Sequence, residues 1–196
     1  SNTLIKKINN LDDFPLLIKD SQNKIVTLNN DLIINKPLVL PKGYKLLINK
    51  GLKINLKNEG TILVQGPIFI NGKEDAPVLI NSIDGGKGIM VYDSELTSKI
   101  NHTIFNNLQA PNEKSLNITG GVTFYNSSVI IANSKFTNSS SEDSLNLIKS
   151  SFKIKDSYFY ESASDAVDAD FSNGEIHNTD FRNIGNDAID ISGGKV

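Results

Sequence analysis

Three stretches of the sequence repeat one frame: IANSKF at residues 131–136, IKDSYF at residues 154–159 and IHNTDF at residues 176–181. Each begins with isoleucine, carries a polar residue in third place and Ser or Thr in fourth place, and ends with phenylalanine. A fourth copy, INHTIF, occupies residues 100–105. The four phenylalanines are 31, 23 and 22 residues apart, which indicates an internal repeat with a period near 22 residues.

A second frame follows each of the last three copies and recurs every 22 residues. It is an aspartate followed, two residues later, by an apolar–polar–apolar triplet: DSLNL at residues 143–147, DAVDA at residues 165–169 and DAIDI at residues 187–191. This alternation has the two-residue period of a β-strand that buries one face. Short apolar runs bounded by Gly, Pro or Asn continue back to Ile25.

A period near 22 residues, divided into three short strands and three turns, predicts a parallel β-helix. Each strand would hydrogen-bond to the equivalent strand of the next coil, about 4.8 Å away, so that equivalent residues stack. Phe136, Phe159 and Phe181 would then form one inward ladder. The crossover preference favours a right-handed coil. We therefore predict an all-β, single-stranded, right-handed parallel β-helix of about seven coils.

The chain divides into two predicted parts. Residues 1–24 are predicted to form an N-terminal cap with a short helix, because apolar residues over residues 3–12 recur at helical spacing. Residues 25–196 are predicted to form the β-helix, in which residues 108–120 lengthen one coil and could cover a binding groove. No capping sequence follows the last strand, so we expect a fragment of a longer solenoid or a chain that associates end to end.

Composition excludes several classes of protein and site. Twenty Lys and Arg against 22 Asp and Glu give a net charge of -2, which argues against a nucleic-acid partner. The absence of cysteine excludes disulfides, zinc–thiolate sites and cysteine nucleophiles. No apolar run approaches the roughly 18 residues of a membrane span, so none is predicted in this segment.

Polar residues in third and fourth place of the first frame are predicted to be structural. Stacked amides and hydroxyls would hydrogen-bond from coil to coil at a corner. The residues concerned are Asn133, Asp156, Asn178, Ser134, Ser157 and Thr179, with His102 at the equivalent position in the first copy.

The most acidic pattern lies in the second frame. Strand alternation points Asp168 and Asp190 outward from consecutive coils, while Asp165 and Asp187 recur at the preceding turn. Carboxylates about 5 Å apart repel by about 0.8 kcal/mol in water, and a cation between them would offset that repulsion. Oxygen ligands of this density suit Ca²⁺. Two interpretations remain open: a calcium site formed by these four aspartates, or a solvated acidic face screened by salt.

A second group of outward residues lies on the neighbouring strands. Tyr158, Tyr160 and Arg182 would place aromatic rings for stacking on a sugar beside a guanidinium that binds a carboxylate. With Asp168 and Asp190 they are the predicted ligand-binding residues. Tyr160, Arg182 and His177 are the catalytic candidates. The alternative is a surface Arg–Asp pair, an exposed tyrosine and a surface histidine.

The repeats resemble those of a known superfamily. Residues 128–138, 151–161 and 173–183, together with the DAVD and GNDAID sequences at residues 165–168 and 185–190, are similar to the pectate-lyase-like right-handed parallel β-helix proteins. They most resemble the carbohydrate-binding, NosD-like bacterial repeat proteins. The resemblance covers about residues 60–196. It implies an exported bacterial protein that is extracellular, on the cell surface or periplasmic, and that is related to polysaccharides.

The sequence shows no convergent catalytic set, which favours a non-catalytic role. We expect a binding or scaffold module whose side contacts a polysaccharide or a protein partner. Two alternatives remain open. One is a Ca²⁺-dependent polysaccharide lyase or epimerase that acts on a uronic-acid glycan. The other is a purely structural domain that stacks through its open end.

Overall fold

The computed structural model describes residues 9–111 and 118–196, and almost all regular structure in these residues is β-strand. A single 3-10 turn, Leu11–Asp13, precedes the strands. In chain order the strands are β1 (Ile18–Asp20), β2 (Ile25–Leu28), β3 (Leu32–Ile34), β4 (Leu38–Val39), β5 (Lys45–Ile48), β6 (Lys53–Lys57), β7 (Ile62–Val64), β8 (Ile68–Asn71), β9 (Val78–Ile83), β10 (Ile89–Tyr92), β11 (Ser98–Asn101), β12 (Thr103–Asn106), β13 (Gly120–Tyr125), β14 (Val129–Ala132), β15 (Lys135–Ser139), β16 (Asp143–Ile148), β17 (Ser151–Lys155), β18 (Tyr158–Ser162), β19 (Asp165–Asp170), β20 (Asn173–His177), β21 (Asp180–Ile184) and β22 (Ile189–Ser192).

Every coil contributes one strand to each of three sheets, whose strands run parallel except for β1. Sheet A contains β1 and then β2, β5, β8, β11, β14, β17 and β20. Sheet B contains β3, β6, β9, β12, β15, β18 and β21, and sheet C contains β4, β7, β10, β13, β16, β19 and β22. Within the described residues the chain thus forms a parallel β-solenoid of about seven coils, which confirms the predicted all-β architecture.

Stacked side chains fill the elongated core. The rings of Phe105, Phe136, Phe159 and Phe181 follow one another with centroid separations of 4.8, 4.5 and 5.1 Å. Ile131, buried in β14, pairs with the equivalent isoleucine of the next coil. The predicted phenylalanine ladder is therefore confirmed, and its rings form one continuous stack in the core across four coils.

The corner between sheets A and B explains the polar residues of the first frame. His102, Asn133, Asp156 and Asn178 all have left-handed backbone, with φ of 43°, 51°, 50° and 45°. Asn and Asp adopt this conformation more readily than other residues with a side chain, because their short polar groups bond locally. Asn178 Nδ2 also donates to Asp156 Oδ1 of the preceding coil at 2.7 Å, which confirms the predicted bonding for this pair.

Serines at the corners join consecutive coils. The Ser157 hydroxyl accepts a hydrogen bond from the backbone N–H of Ser134, one coil earlier, at 3.3 Å and donates to the Lys155 carbonyl at 2.8 Å. A second serine column, which the sequence analysis did not identify, lies between sheets C and A, where Ser150 Oγ accepts from Ser127 N at 3.1 Å. Buried backbone groups at both corners are satisfied in this way.

The structure does not support the predicted N-terminal helix. The described residues of that segment contain a 3-10 turn as their only helical element, and residues 3–8 of the predicted helix lie outside the described residues. Leu11, Phe14 and Leu17 are buried against the first coil, so the segment covers the end of the core. It then forms β1, which pairs antiparallel with β2. A turn in which Asp20 accepts two hydrogen bonds from Asn23 directs this hairpin.

The two ends of the described solenoid differ. The β1 hairpin occupies the first edge of sheet A, whereas β20, β21 and β22 are the last strands of their sheets. Apolar side chains of this last coil are exposed, among them Phe171 and Ile191. End-to-end association stays a prediction. None of the described helical residues forms a segment long and apolar enough to cross a membrane.

The phenylalanine ladder yields a first prediction. Phe159 is fully buried between two other rings, so Phe159→Ala should lower the free energy of unfolding by about 3–5 kcal/mol. Chemical denaturation would measure the loss. Lys155→Ala, an exposed change in the same coil, should stay within about 0.5 kcal/mol. A loss below about 1 kcal/mol for Phe159→Ala would contradict the ladder.

Candidate functional site

The outer face of sheet C is covered over its first coils. Val39, Leu63, Met90 and Tyr92 form a second apolar cluster on that face, separate from the main core. Ile118, at the end of the predicted insertion 108–120, packs against it, while residues 112–117 lie outside the described residues. The sequence analysis missed this cluster. Its signal was an unbroken apolar run in β7 and β10, which is typical of strands buried on both faces.

The predicted acidic column begins where this cluster ends. Thr123, Asn146, Asp168 and Asp190 follow one another in register on β13, β16, β19 and β22. Their exposure increases along the column, from 0% at Thr123 and 1% at Asn146 to a half-buried Asp168 and an exposed Asp190. The predicted stacking is confirmed. The column is buried at one end and reaches solvent only at the other.

The Asn146 side chain lies between two carboxylates. Its Nδ2 donates to Asp143 Oδ2 at 3.2 Å and to Asp168 Oδ2 at 2.8 Å. Its Oδ1 is buried and has no hydrogen-bond partner among the described residues. A buried polar atom left unpaired costs about 1–3 kcal/mol. We call Asp143, Asn146 and Asp168 the Asn146 centre, a polar cluster with one unfilled acceptor.

Burial perturbs both carboxyl groups of the Asn146 centre. It raises the pKa of Asp143 to about 6, against a hydrogen bond from Thr119 and with repulsion from Glu142 and other acids adding to it. Burial likewise raises the pKa of Asp168 to about 7, and the charges of Asp143, Asp170 and Asp190 add to the effect. A carboxyl group with such a pKa exchanges protons near neutrality.

Asp165 and Asp187 occupy the turn before the acidic strands. Asp165 is buried, and its Oδ1 accepts from the Asp187 backbone N–H at 2.8 Å and from Asn186 Nδ2 at 2.9 Å. The Asp165 carboxylate thus accepts two hydrogen bonds within the turn, whereas the Asp187 side chain is exposed. Of the four predicted calcium ligands, Asp168 and Asp190 occupy equivalent outward positions in consecutive coils. In the described residues no group of three or more His, Asp or Glu with the geometry of a metal site was found.

The tyrosine–arginine group lies on the outer face of sheet B. The Tyr158 and Tyr160 rings are 6.0 Å apart at 12°, and the Arg182 guanidinium lies 5.9 Å from the Tyr158 ring centre. Arg182 pairs in register with Tyr160, as predicted, and its Nη2 is 3.9 Å from Asp180 Oδ2. A hydrogen bond and the charge of Glu161 raise the pKa of Tyr160. We call Tyr158, Tyr160 and Arg182 the Tyr–Arg cluster.

His177 lies on another face. It belongs to β20 in sheet A, where its Nε2 is 3.1 Å from Glu175 Oε2, and Lys153 Nζ is 3.0 Å from the same oxygen. Both neighbours lower the pKa of Glu175. The corner at Asn178 separates β20 from β21. The structure therefore brings Tyr160 and Arg182 together and places His177 apart from them.

The fold defines the class of the protein as a parallel β-solenoid. No family model matches the chain, and the searches of curated proteins and of solved structures likewise gave no match. The class therefore comes from the structure, and the pectate-lyase-like and NosD-like assignment remains a resemblance of the repeats.

The raised pKa values predict how stability depends on pH. Asp143 and Asp168 hold their protons more tightly in the folded state, so the folded protein binds more protons than the unfolded chain between about pH 4 and pH 7. The free energy of unfolding should fall as pH rises through this window. Chemical denaturation at pH 5 and pH 8 should show greater stability at pH 5.

Asp168→Asn isolates the contribution of this group. The variant should lose part of the difference between pH 5 and pH 8, whereas Asp84→Asn, at an exposed ion pair with Lys57, should keep it. Equal pH dependence in the wild type and in Asp168→Asn would contradict the raised pKa of Asp168.

Proposed function

We propose that the chain is a non-catalytic, glycan-binding module of an exported or cell-surface bacterial protein, and that the Tyr–Arg cluster contacts the glycan. The observation that carries the proposal is a pair of nearly parallel tyrosine rings beside an exposed guanidinium on the outer face of one sheet. Arg182 is the chain's only arginine. The resemblance to right-handed, NosD-like β-helix repeats supports the same function. From this resemblance we also propose that the coil of this chain is right-handed.

The chemistry of the Tyr–Arg cluster favours an acidic sugar. Aromatic faces pack against the C–H groups of a pyranose ring, and each phenol hydroxyl can hydrogen-bond at the ring edge. A guanidinium binds a carboxylate through two parallel N–H donors, which suits uronic acids. His177 is separated from Tyr160 and Arg182 by a corner, which favours binding over acid–base catalysis at this cluster.

Titration calorimetry with uronic-acid oligosaccharides tests the proposal. Arg182→Ala should weaken binding about 10- to 100-fold, because a charge-assisted hydrogen bond is worth about 1.5–3 kcal/mol. Tyr160→Ala should weaken the binding of neutral and of acidic oligosaccharides to a similar extent. Lys153→Ala, an exposed cation on sheet A, is the matched control and should bind normally. The absence of binding to every acidic and neutral glycan by a folded wild-type protein would reject the proposal.

The Asn146 centre favours a second candidate, a Ca²⁺-dependent lyase or epimerase acting on a uronic-acid glycan. Rotation of the Asn146 amide would turn its unpaired Oδ1 toward the space between two carboxylates. Carboxylate and amide oxygens are ligands of the kind that Ca²⁺ prefers, and Asp190 lies one coil beyond Asp168. Bound Ca²⁺ would offset the repulsion in the column and polarise a uronate carboxylate.

Calcium dependence separates the two candidates. Millimolar Ca²⁺ should raise the melting temperature of the wild type, because a ligand that binds only the folded state stabilises it. Asp168→Asn combined with Asp190→Asn should abolish the response, while Asp84→Asn should preserve it. An unchanged melting temperature in Ca²⁺, with no unsaturated product from pectate or alginate, would reject the lyase and leave glycan binding standing.

A further inference from the structure

A column of polar side chains runs along the outer face of sheet B and leads into the Tyr–Arg cluster. Asn55, Asn81, Asn106 and Thr137 follow one another in register on β6, β9, β12 and β15. Thr137 then pairs with Tyr160. We call the first four residues the amide column. Together with Tyr160 and Arg182 it crosses six consecutive coils of the described solenoid.

Hydrogen bonds hold the amide column in a regular array. Asn106 Nδ2 donates to Asn81 Oδ1 at 2.7 Å, and Asn81 Nδ2 donates to Asn55 Oδ1 at 3.4 Å. The Thr137 hydroxyl donates to Asn106 Oδ1 at 2.9 Å. An amide nitrogen has two hydrogens, so each Asn that donates along the column keeps a second N–H donor. These half-buried groups recur at the strand spacing of about 4.8 Å.

Backbone conformation does not account for these amides. Corner asparagines such as Asn107 and Asn138 have positive φ, which explains their presence there. The three asparagines of the amide column lie within strands, where Asn is disfavoured relative to β-branched residues. Among the described residues the three asparagine side chains bond only other side chains, whereas the Thr137 hydroxyl also donates to the Phe105 carbonyl at 3.4 Å. The ladder uses one N–H of Asn81 and one of Asn106, so the second N–H of each amide is available to a ligand.

The neighbouring outward column supplies charge and apolar surface. It contains, in register order, Lys53, Leu79, Ile104, Lys135, Tyr158 and Asp180. Lys53 and Lys135 form no ion pair with any residue that the structure describes. With Arg182 they give these two columns three cations. The nearby acids are Asp180 within the columns and Glu161, which bonds Tyr160 at their edge. Half-buried Leu79 and Ile104 lie between the lysines.

We propose that the amide column and the Tyr–Arg cluster form one continuous track, along which a linear uronic-acid polysaccharide lies parallel to the solenoid axis. This inference rests on the proposed glycan-binding function and adds the orientation and length of the ligand. Amides bond the sugar hydroxyls, Lys135 and Arg182 bind carboxylates, and Leu79 and Ile104 contact C–H faces. Six coils separated by about 4.8 Å give a track of about 24 Å.

Ligand length is the variable that tests the track. Calorimetry with uronic-acid oligosaccharides of increasing length should show affinity rising with each added sugar until the oligomer spans the track, and then levelling off. Asn106→Thr keeps a strand-compatible side chain in the middle of the track. It should weaken the binding of long oligomers about three- to tenfold, as expected for one hydrogen bond.

Asn101→Thr is the matched control. Asn101 lies in β11 of the same coil, is exposed on sheet A, and accepts a hydrogen bond from Asn133 of the next coil. It should bind every oligomer as the wild type does. The unfolding midpoints of both variants report whether either change disturbs the solenoid, and Asn81→Thr repeats the test one coil away.

The outcomes separate the track from the proposed function. If affinity is independent of length and Asn106→Thr has no effect, while Arg182→Ala still weakens binding, the track is wrong and glycan binding at the Tyr–Arg cluster stands. If no glycan binds, both fail. If single-stranded DNA of matched length and charge binds as tightly as the oligouronate, charge alone explains the affinity and the track for sugars is overturned.

Discussion

Backbone hydrogen bonding between equivalent strands of successive coils is the interaction on which the structure depends. It places each residue about 4.8 Å from its equivalent in the next coil, so every outward or inward position becomes a column. Stacking favours apolar residues, as the phenylalanine rings show at 4.5–5.1 Å. It also favours amides, which donate to and accept from one another. It disfavours stacked carboxylates, which repel.

The acidic column shows how the chain limits that repulsion. Asn146 follows Thr123 and precedes Asp168, so a neutral amide stands where a further carboxylate would face Asp168. The amide donates to both neighbouring acids. Donation alone does not lower the pKa of Asp168 to its usual range, because burial and the charges of four other aspartates outweigh it. The column remains a place where a proton or a cation changes the energy of the fold.

Features that repeat along the chain were predicted from the sequence, whereas features that depend on contacts between distant segments were not. The parallel solenoid, the phenylalanine ladder and the pairing of Tyr160 with Arg182 follow from a 22-residue period, and all three were predicted. The cover over sheet C was missed. The unbroken apolar run of β10 indicates burial on both faces, but it does not identify the distant residue Ile118 that packs there. The N-terminal helix failed for the same reason. Leu11, Phe14 and Leu17 cover the end of the core and precede a hairpin, and local spacing does not encode these contacts.

The two candidate sites lie on different faces of the solenoid, which determines whether one ligand can contact both. The Tyr–Arg cluster and the amide column occupy the outside of sheet B, whereas the Asn146 centre lies on sheet C beyond the corner at Glu161 and Asn183. A rigid glycan along sheet B cannot also place a sugar at Asp168 unless it bends around that corner. Glycan binding and cation binding are therefore physically independent properties of this solenoid, and either can hold without the other.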